Sequence, residues 1–182
     1  MVHLLSSKTP KTLFPLILIL GLCTQIWSQT DNRLADKKAI METIQNETDR
    51  FYARDYAGWK DTYVHDKSTM QGWSNEDGTF DVNIGWEKVN ASIEKYIKEN
   101  PVPTGKKRRV ERRNLNYKFY GDLACYLTWD QYQEDREGKK FFYSKEIRIM
   151  EKQNGQWKIA GQAAFWDYKN LMPVEDLKPE KP

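Results

Sequence analysis

The chain has 182 residues, of which 39% are hydrophobic and 30% charged, with a formal net charge of +3 at pH 7. That length suits one domain able to bury a sizeable core, and a charge so close to balance argues against a dedicated nucleic-acid or other polyanion binder. Two cysteines and two histidines exclude a disulfide framework and a histidine-rich metal centre.

In chain order, residues 1–28 read as a secretory signal peptide. Lys8 and Lys11 supply a positive start, Leu13 to Leu22 form a short apolar core broken by Pro15, and Ser28 offers a small residue before a cut at Gln29. The apolar run is too short for a membrane span. The expected location is therefore secreted or periplasmic. Cleavage would remove His3 and Cys23, leaving His65 as the one imidazole and Cys125 as the one thiol.

One domain is expected over 29–172. Within it, Asp36 to Asp55 predicts an amphipathic helix, because Ile40, Met41, Ile44, Thr48, Phe51 and Tyr52 recur at spacings of three and four. A short second helix carries Trp59, Tyr63 and Val64. Ser68 to Ser74 and Thr79 to Ile84 predict a hairpin around Asp77-Gly78. Asn83 is the expected cap of a third helix running to Asn100, with Val89, Ile93, Tyr96 and Ile97 as its buried stripe and Pro101 and Pro103 beyond it. A basic connector, Lys106 to Arg113, reads as solvated. Four aromatic-rich strands then span Asn114 to Tyr168, punctuated by Gly121-Asp122, Glu137-Gly138 and Asn154-Gly155, as in an antiparallel meander. The tail, 173–182, is charged and proline-rich and reads as disordered. Helices with a mostly antiparallel sheet make the class α+β.

Gly121-Asp122-Leu123-Ala124-Cys125, Gln131-Tyr132, Ser144 with Glu146 and Arg148, and Asn154-Gly155-Gln156-Trp157 follow one another at a characteristic spacing. That series resembles the association domain of calcium/calmodulin-dependent kinase II, a member of the nuclear transport factor 2-like superfamily. Phe51-Tyr52, Asp55, Trp59 and Tyr63 extend the similarity into the helices, so it covers roughly 36–168. The resemblance implies a cone-shaped, strongly bent sheet wrapped around a long N-terminal helix, a cystatin-like roll with an internal cavity. The superfamily also holds SnoaL-like cyclases, ketosteroid isomerase and scytalone dehydratase, so it implies a fold rather than one activity.

In the kinase domain the arginine at the position of Arg148 lines the pocket, and the resemblance carries that role here. The further basic and histidine positions of that pocket are occupied in this chain by Thr128 and the Gly161 to Phe165 run, which makes the expected cavity more apolar. The residues expected around it are Tyr52, Trp59, Tyr63, Trp73, Tyr126, Thr128, Ser144, Glu146, Arg148, Gln162 and Trp166. His65, Asp130 and Glu146 are the candidate acid–base groups, Glu146 because burial among aromatics raises a carboxyl pKa. Period-2 alternation puts Glu146 and Arg148 on one face and Ile147 and Ile149 on the other, and both faces are half apolar.

Three functions follow as alternatives: binding of a small apolar or aromatic ligand, a cofactor-independent isomerase, cyclase or dehydratase, or an oligomerisation module. No cofactor or metal is expected. The expected partners are a small-molecule ligand and a second copy in a homodimer. Asn46-Glu47-Thr48 and Asn90-Ala91-Ser92 match the glycosylation sequon inside predicted helices and are discounted.

Overall fold

The computed structural model describes residues 14–103 and 108–178, with side chains from residue 33 onward. Two units are distinguished, Met1–Lys38 and Ala39–Pro182. Helix α1 (Phe14–Ala53) begins in the first and ends in the second. No helix among the described residues is long and apolar enough to cross a membrane. The expected cut after Ser28 falls within α1, where side chains lie outside the description.

In the second unit, α1 buries Ile40, Ile44 and Glu47, with Phe51 half-buried beyond them. The spacing of four, three and four is the helical period, so one stripe faces the interior. A carboxylate is part of that stripe. The helix ends at Arg54, whose φ is 62°. Asp55 then caps α2 (Tyr56–Asp61), its carboxylate accepting the Gly58 N–H at 2.9 Å.

Strands β1 (Met70–Ser74) and β2 (Phe80–Ile84) form the expected hairpin. Its register corrects one expectation. Asn83 lies opposite Gln71 inside the ladder and is not a helix cap. The position before α3 (Trp86–Glu99) belongs to Gly85 with φ 91°, a conformation open to glycine because it has no Cβ. Val89 and Ile93 are the buried residues of α3, and Asn100 ends it.

The meander consists of β3 (Val110–Tyr120), β4 (Ala124–Glu134), β5 (Lys140–Gln153) and β6 (Gln156–Pro173). Asn154 and Gly155 both have positive φ, 50° and 79°, as a two-residue hairpin turn requires. The sheet order is β2-β1-β6-β5-β4-β3. Only β1 against β6 is parallel, so the sheet is mixed and open, with β2 and β3 as its edges. The fold is α+β.

The basic connector is also corrected. Val110 to Arg113 is strand, and Arg112 is half-buried with its guanidinium on Gln45 and Thr48. Arg108, Arg109 and Arg113 lie over the rings of Tyr52, Phe141 and Tyr132. Arginine suits such places because its planar cation packs on aromatic faces. Beyond β6, Val174–Asp176 form a 3-10 turn and Leu177 is buried, so the stretch read as disordered starts with ordered structure. Residues 179–182 lie outside the description.

The core gathers Ile40 and Ile44 of α1, Trp59 and Tyr63 around α2, Val89 and Ile93 of α3, and a sheet face carrying Leu127, Trp129, Met150 and Ile159. Ladder rows identify that face. Leu127 pairs with Arg148 and Arg148 with Gln162; Trp129 pairs with Glu146 and Glu146 with Ala164. Since Leu127 and Trp129 point to the helices, Glu146, Arg148, Gln162 and Ala164 do so too.

Candidate functional site

Glu146 and Arg148 are almost fully buried, at 1% and 5% exposure. A charge so far from water is costly unless paired. Here Arg148 Nη1 donates to Glu146 Oε2 at 2.8 Å and to the Ile147 carbonyl at 2.9 Å. Glu146 Oε1 accepts from Ser144 Oγ at 2.7 Å and from Gln131 Nε2 at 3.2 Å. Both carboxylate oxygens are therefore engaged. The guanidinium carbon of Arg148 is 5.0 Å from the Trp129 ring centre. Its buried Nε has no hydrogen-bond partner among the described residues.

A second carboxylate enters from α1. Glu47 Oε1 accepts from Trp59 Nε1 at 3.1 Å and lies 3.2 Å from the Tyr63 hydroxyl. Among the described residues, Glu47 Oε2 meets only the Thr48 hydroxyl, at 3.4 Å. The Tyr63 hydroxyl is also 2.7 Å from Gln162 Oε1 and receives Gln71 Nε2 at 3.3 Å. One phenolic proton thus serves two acceptor oxygens. Burial, and next the negative field of Glu47, push the Tyr63 pKa well above its ordinary value, so it stays a neutral donor. Gln71 Oε1 is buried and unpartnered among the described residues.

Arg112 supplies the fourth charge. Its guanidinium donates to Gln45 at 2.7 Å and Thr48 at 3.0 Å. Burial lowers its pKa first and the field of Arg148 second, while Glu47 and Glu146 oppose both. The group holds two guanidinium cations against two carboxylates.

Glu47, Glu146 and Arg148 border a cavity of about 400 Å³ between the helices and the inner sheet face. One part of its wall is apolar, from Phe51, Tyr52, Trp73, Ile93, Tyr96 and Trp166. The other is polar, from Glu47, Gln71, Gln131, Glu146, Arg148 and Gln162.

Of the residues expected around the cavity, Tyr52, Trp73, Glu146, Arg148, Gln162 and Trp166 line it. Trp59, Tyr63 and Ser144 are completely buried behind the wall and hold its two carboxylates. Tyr126 and Thr128 are elsewhere: they pair with Ile149 and Ile147 and point to the opposite face of the sheet. Asp130 shares that outer face. It accepts from Asn114 Nδ2 at 2.6 Å and Tyr143 Oη at 2.7 Å, and it pairs with Lys145. Burial works to raise its pKa, but the bonds from Asn114, Lys145 and Tyr143 outweigh it and hold the pKa below the ordinary carboxylate value. His65 is exposed, stacked 4.0 Å from Trp86, with Nε2 3.0 Å from the Lys60 carbonyl oxygen. Neither Asp130 nor His65 lines the cavity.

Glu47, Gln71, Gln131 and Gln133 are wall residues that the sequence reading left out. The signal for the last two is their parity with Leu127 and Trp129, and for Glu47 its place in the Ile40–Ile44 stripe. Among the described residues, no group of His, Cys, Asp and Glu could hold a metal ion.

No family model matches the chain, and no sequence match to a curated protein is significant. Solved structures do match. The association domain of CaMKII from C. elegans aligns over 74% of this chain and 98% of its own, with a TM-score of 0.54 and 18% identity. An NTF2-like protein of unknown function from Shewanella oneidensis covers 71% of this chain and 98% of its own at TM-score 0.53 and 14% identity. The fold is nuclear transport factor 2-like. Another protein with this fold, the hexachlorocyclohexane dehydrochlorinase LinA-type3 of Novosphingobium barchaimii, aligns over 83% of this chain and 98% of its own, at TM-score 0.54 and 14% identity. At such identities the likeness concerns the fold alone, and the nuclear transport factor 2-like frame accommodates enzymes and assembly domains alike.

Proposed function

We propose that this nuclear transport factor 2-like domain binds a small organic molecule in the cavity, its apolar or aromatic body against Trp73, Tyr96 and Trp166. One observation carries the reading. Arg148 and Gln71 both line the cavity, and Arg148 Nε, a donor, and Gln71 Oε1, an acceptor, are buried and lack partners among the described residues. Leaving such groups unmatched costs about 1–3 kcal/mol each, which a ligand presenting a carbonyl beside an N–H or O–H recovers. The volume suits a ligand of modest size. The ligand's inner end is neutral, because each charge there already faces a counter-charge.

The test is a thermal-shift panel of aromatic amides, lactams and phenolic ketones, followed by quenching of tryptophan fluorescence. Hits should lose their shift in Gln71→Met, which keeps the side-chain volume and removes the acceptor. Shifts that persist in Ser92→Trp, which fills the cavity from α3, would sink the reading.

A second reading, cofactor-independent proton-transfer catalysis of the isomerase, cyclase or dehydratase type, is favoured by the loosely held Glu47 Oε2. Glu47 would then serve as the base in place of Glu146, whose oxygens are both occupied. Catalysis that survives Glu47→Gln unchanged would refute it. We further propose that the protein is exported and pairs with a second copy through the outer sheet face, where Ile149 and Phe165 are exposed. Light scattering of the wild type against Phe165→Glu tests the pairing; a wild-type monomer overturns it.

A further inference from the structure

The mouth of the cavity holds charges that a neutral ligand would not use. Arg54 follows α1 with a φ of 62°, in the left-handed region that a residue with a Cβ enters at a cost. Helices that end as α1 does, with the Asp55 N–H returning to the Arg50 carbonyl at 2.9 Å, commonly place glycine there. The arginine side chain instead reaches across two rings. Its guanidinium carbon is 5.4 Å from the Phe51 ring centre and 5.2 Å from that of Tyr96, and Nη1 donates to the Phe51 carbonyl at 3.0 Å. From the other side Arg108 lies 5.4 Å over Tyr52. The Nε atoms of both arginines are buried without a hydrogen-bond partner among the described residues.

Phe51, Tyr52 and Tyr96 line the cavity and also a neighbouring hollow of about 480 Å³. Arg54, Arg108 and Arg136 border that hollow, together with Asp135 and Glu137. Both acids are committed to the β4–β5 turn. Asp135 accepts the Lys139 N–H at 2.9 Å, and Glu137 pairs with Lys139 Nζ at 2.8 Å. The three guanidinium groups thus leave the hollow an excess of positive charge where it meets the cavity.

We infer that the ligand is an organic anion with an apolar or aromatic body. The body occupies the cavity, and its carboxylate, sulfonate or phosphate rests at the mouth on Arg54 and Arg108, with Arg136 at the rim. Guanidinium groups bind such oxyanions through paired, charge-assisted hydrogen bonds. The inner cavity is the less suitable place for the anion, since its lining cation, Arg148, is paired with Glu146 and Glu47 adds a second carboxylate. This inference rests on the ligand-binding reading above.

Two fluorescent probes with one aromatic body test it on the full chain: 8-anilinonaphthalene-1-sulfonate, and N-phenyl-1-naphthylamine, which lacks the sulfonate. At low salt the sulfonate should bind about tenfold more tightly than the neutral probe, an advantage that high salt reduces. In the double variant Arg54→Gly/Arg108→Gln that advantage should disappear while the neutral probe binds as before. Arg54→Gly keeps the helix end in the conformation glycine prefers, so the fold is retained. Equal affinities for both probes in both proteins would overturn the mouth assignment and leave the cavity reading intact, provided Ser92→Trp expels both. Probes that survive Ser92→Trp, or a protein that binds neither, overturn the cavity reading and this inference with it.

Discussion

Replacing Glu146 by Gln removes one charge from a nearly dry pair and leaves the other in place. Arg148 is 5% exposed, its Nη1 sits 2.8 Å from Glu146 Oε2, and the field of Arg148 already acts on Arg112. Without the carboxylate, the buried Arg148 guanidinium has lost its ion-pair partner and still feels the positive field of Arg112. Breaking a buried pair from one side costs about 3–5 kcal/mol. For a domain of this size that lowers the melting temperature by roughly 6–20 °C. The companion variant Glu146→Leu/Arg148→Met removes both charges and keeps the volume. It should lose only about 1–2 kcal/mol, from the unmatched Ser144 hydroxyl and Gln131 amide. Urea denaturation of wild type, Glu146→Leu, Arg148→Met and the double gives the coupling, expected at about 4 kcal/mol or more because each single leaves one buried charge unpaired. A cost below about 1 kcal/mol for Glu146→Gln, with no recovery in the double, would refute the claim that this pair is buried and charged.

Three other outcomes are expected. Arg54→Gly relieves left-handed strain of about 1 kcal/mol and gives up cation–ring contacts of similar size, so its urea midpoint should barely move; a loss above about 2 kcal/mol would make Arg54 a structural residue. Asp130 has a folded pKa below its unfolded value, so it stabilises the protein above that unfolded value and loses the effect as pH falls through the folded one. The stability gap between wild type and Asp130→Asn should therefore be constant from neutral pH downward and shrink below about pH 4, and a gap that widens in acid would contradict the assigned bonds. Glu47→Gln keeps an acceptor for Trp59 and Tyr63 and should cost about 1–2 kcal/mol by urea denaturation, because bonds to a charged acceptor become bonds to a neutral one; no loss would mean that Glu47 is not held by those donors.

The hairpin ends were legible because their requirements are local. Asp77-Gly78 and Asn154-Gly155 demand backbone angles that few other pairs supply, and Gly78 and Asn154-Gly155 have positive φ. Asn83 was misread for the converse reason. It has the chemistry of a cap, but the pairing of Met70 with Ile84 carries the strand past it and leaves Gly85 to turn the chain. The arginines of the 106–113 run look solvated in one dimension. Their partners, Gln45, Tyr52, Phe141 and Tyr132, are distant in sequence, and only the assembled sheet and helix bring them together. Sheet parity behaves as a single switch. Once Leu127 and Trp129 turn to the helices, Glu146, Arg148 and Gln162 follow, and Tyr126, Thr128 and Asp130 are carried to the other face.

Glu47 shows how far a local reading can reach. Its position belongs to the Ile40–Ile44 stripe by spacing, yet a carboxylate in a stripe normally marks the solvent side. What reverses the assignment is a pair of donors, the Trp59 indole and the Tyr63 hydroxyl, delivered by the α2 segment. Held by those donors, Glu47 joins the Glu146–Arg148 pair on the wall of the inner cavity and makes that wall polar. On the proposed ligand reading, an anion entering there would have to displace Glu146 from Arg148 beside a second carboxylate, Glu47, which a neutral donor–acceptor group need not do. On the same proposal, charge selection falls to the mouth, where Arg54 and Arg108 lie over the rings of Phe51 and Tyr52, and shape selection to the aromatic wall.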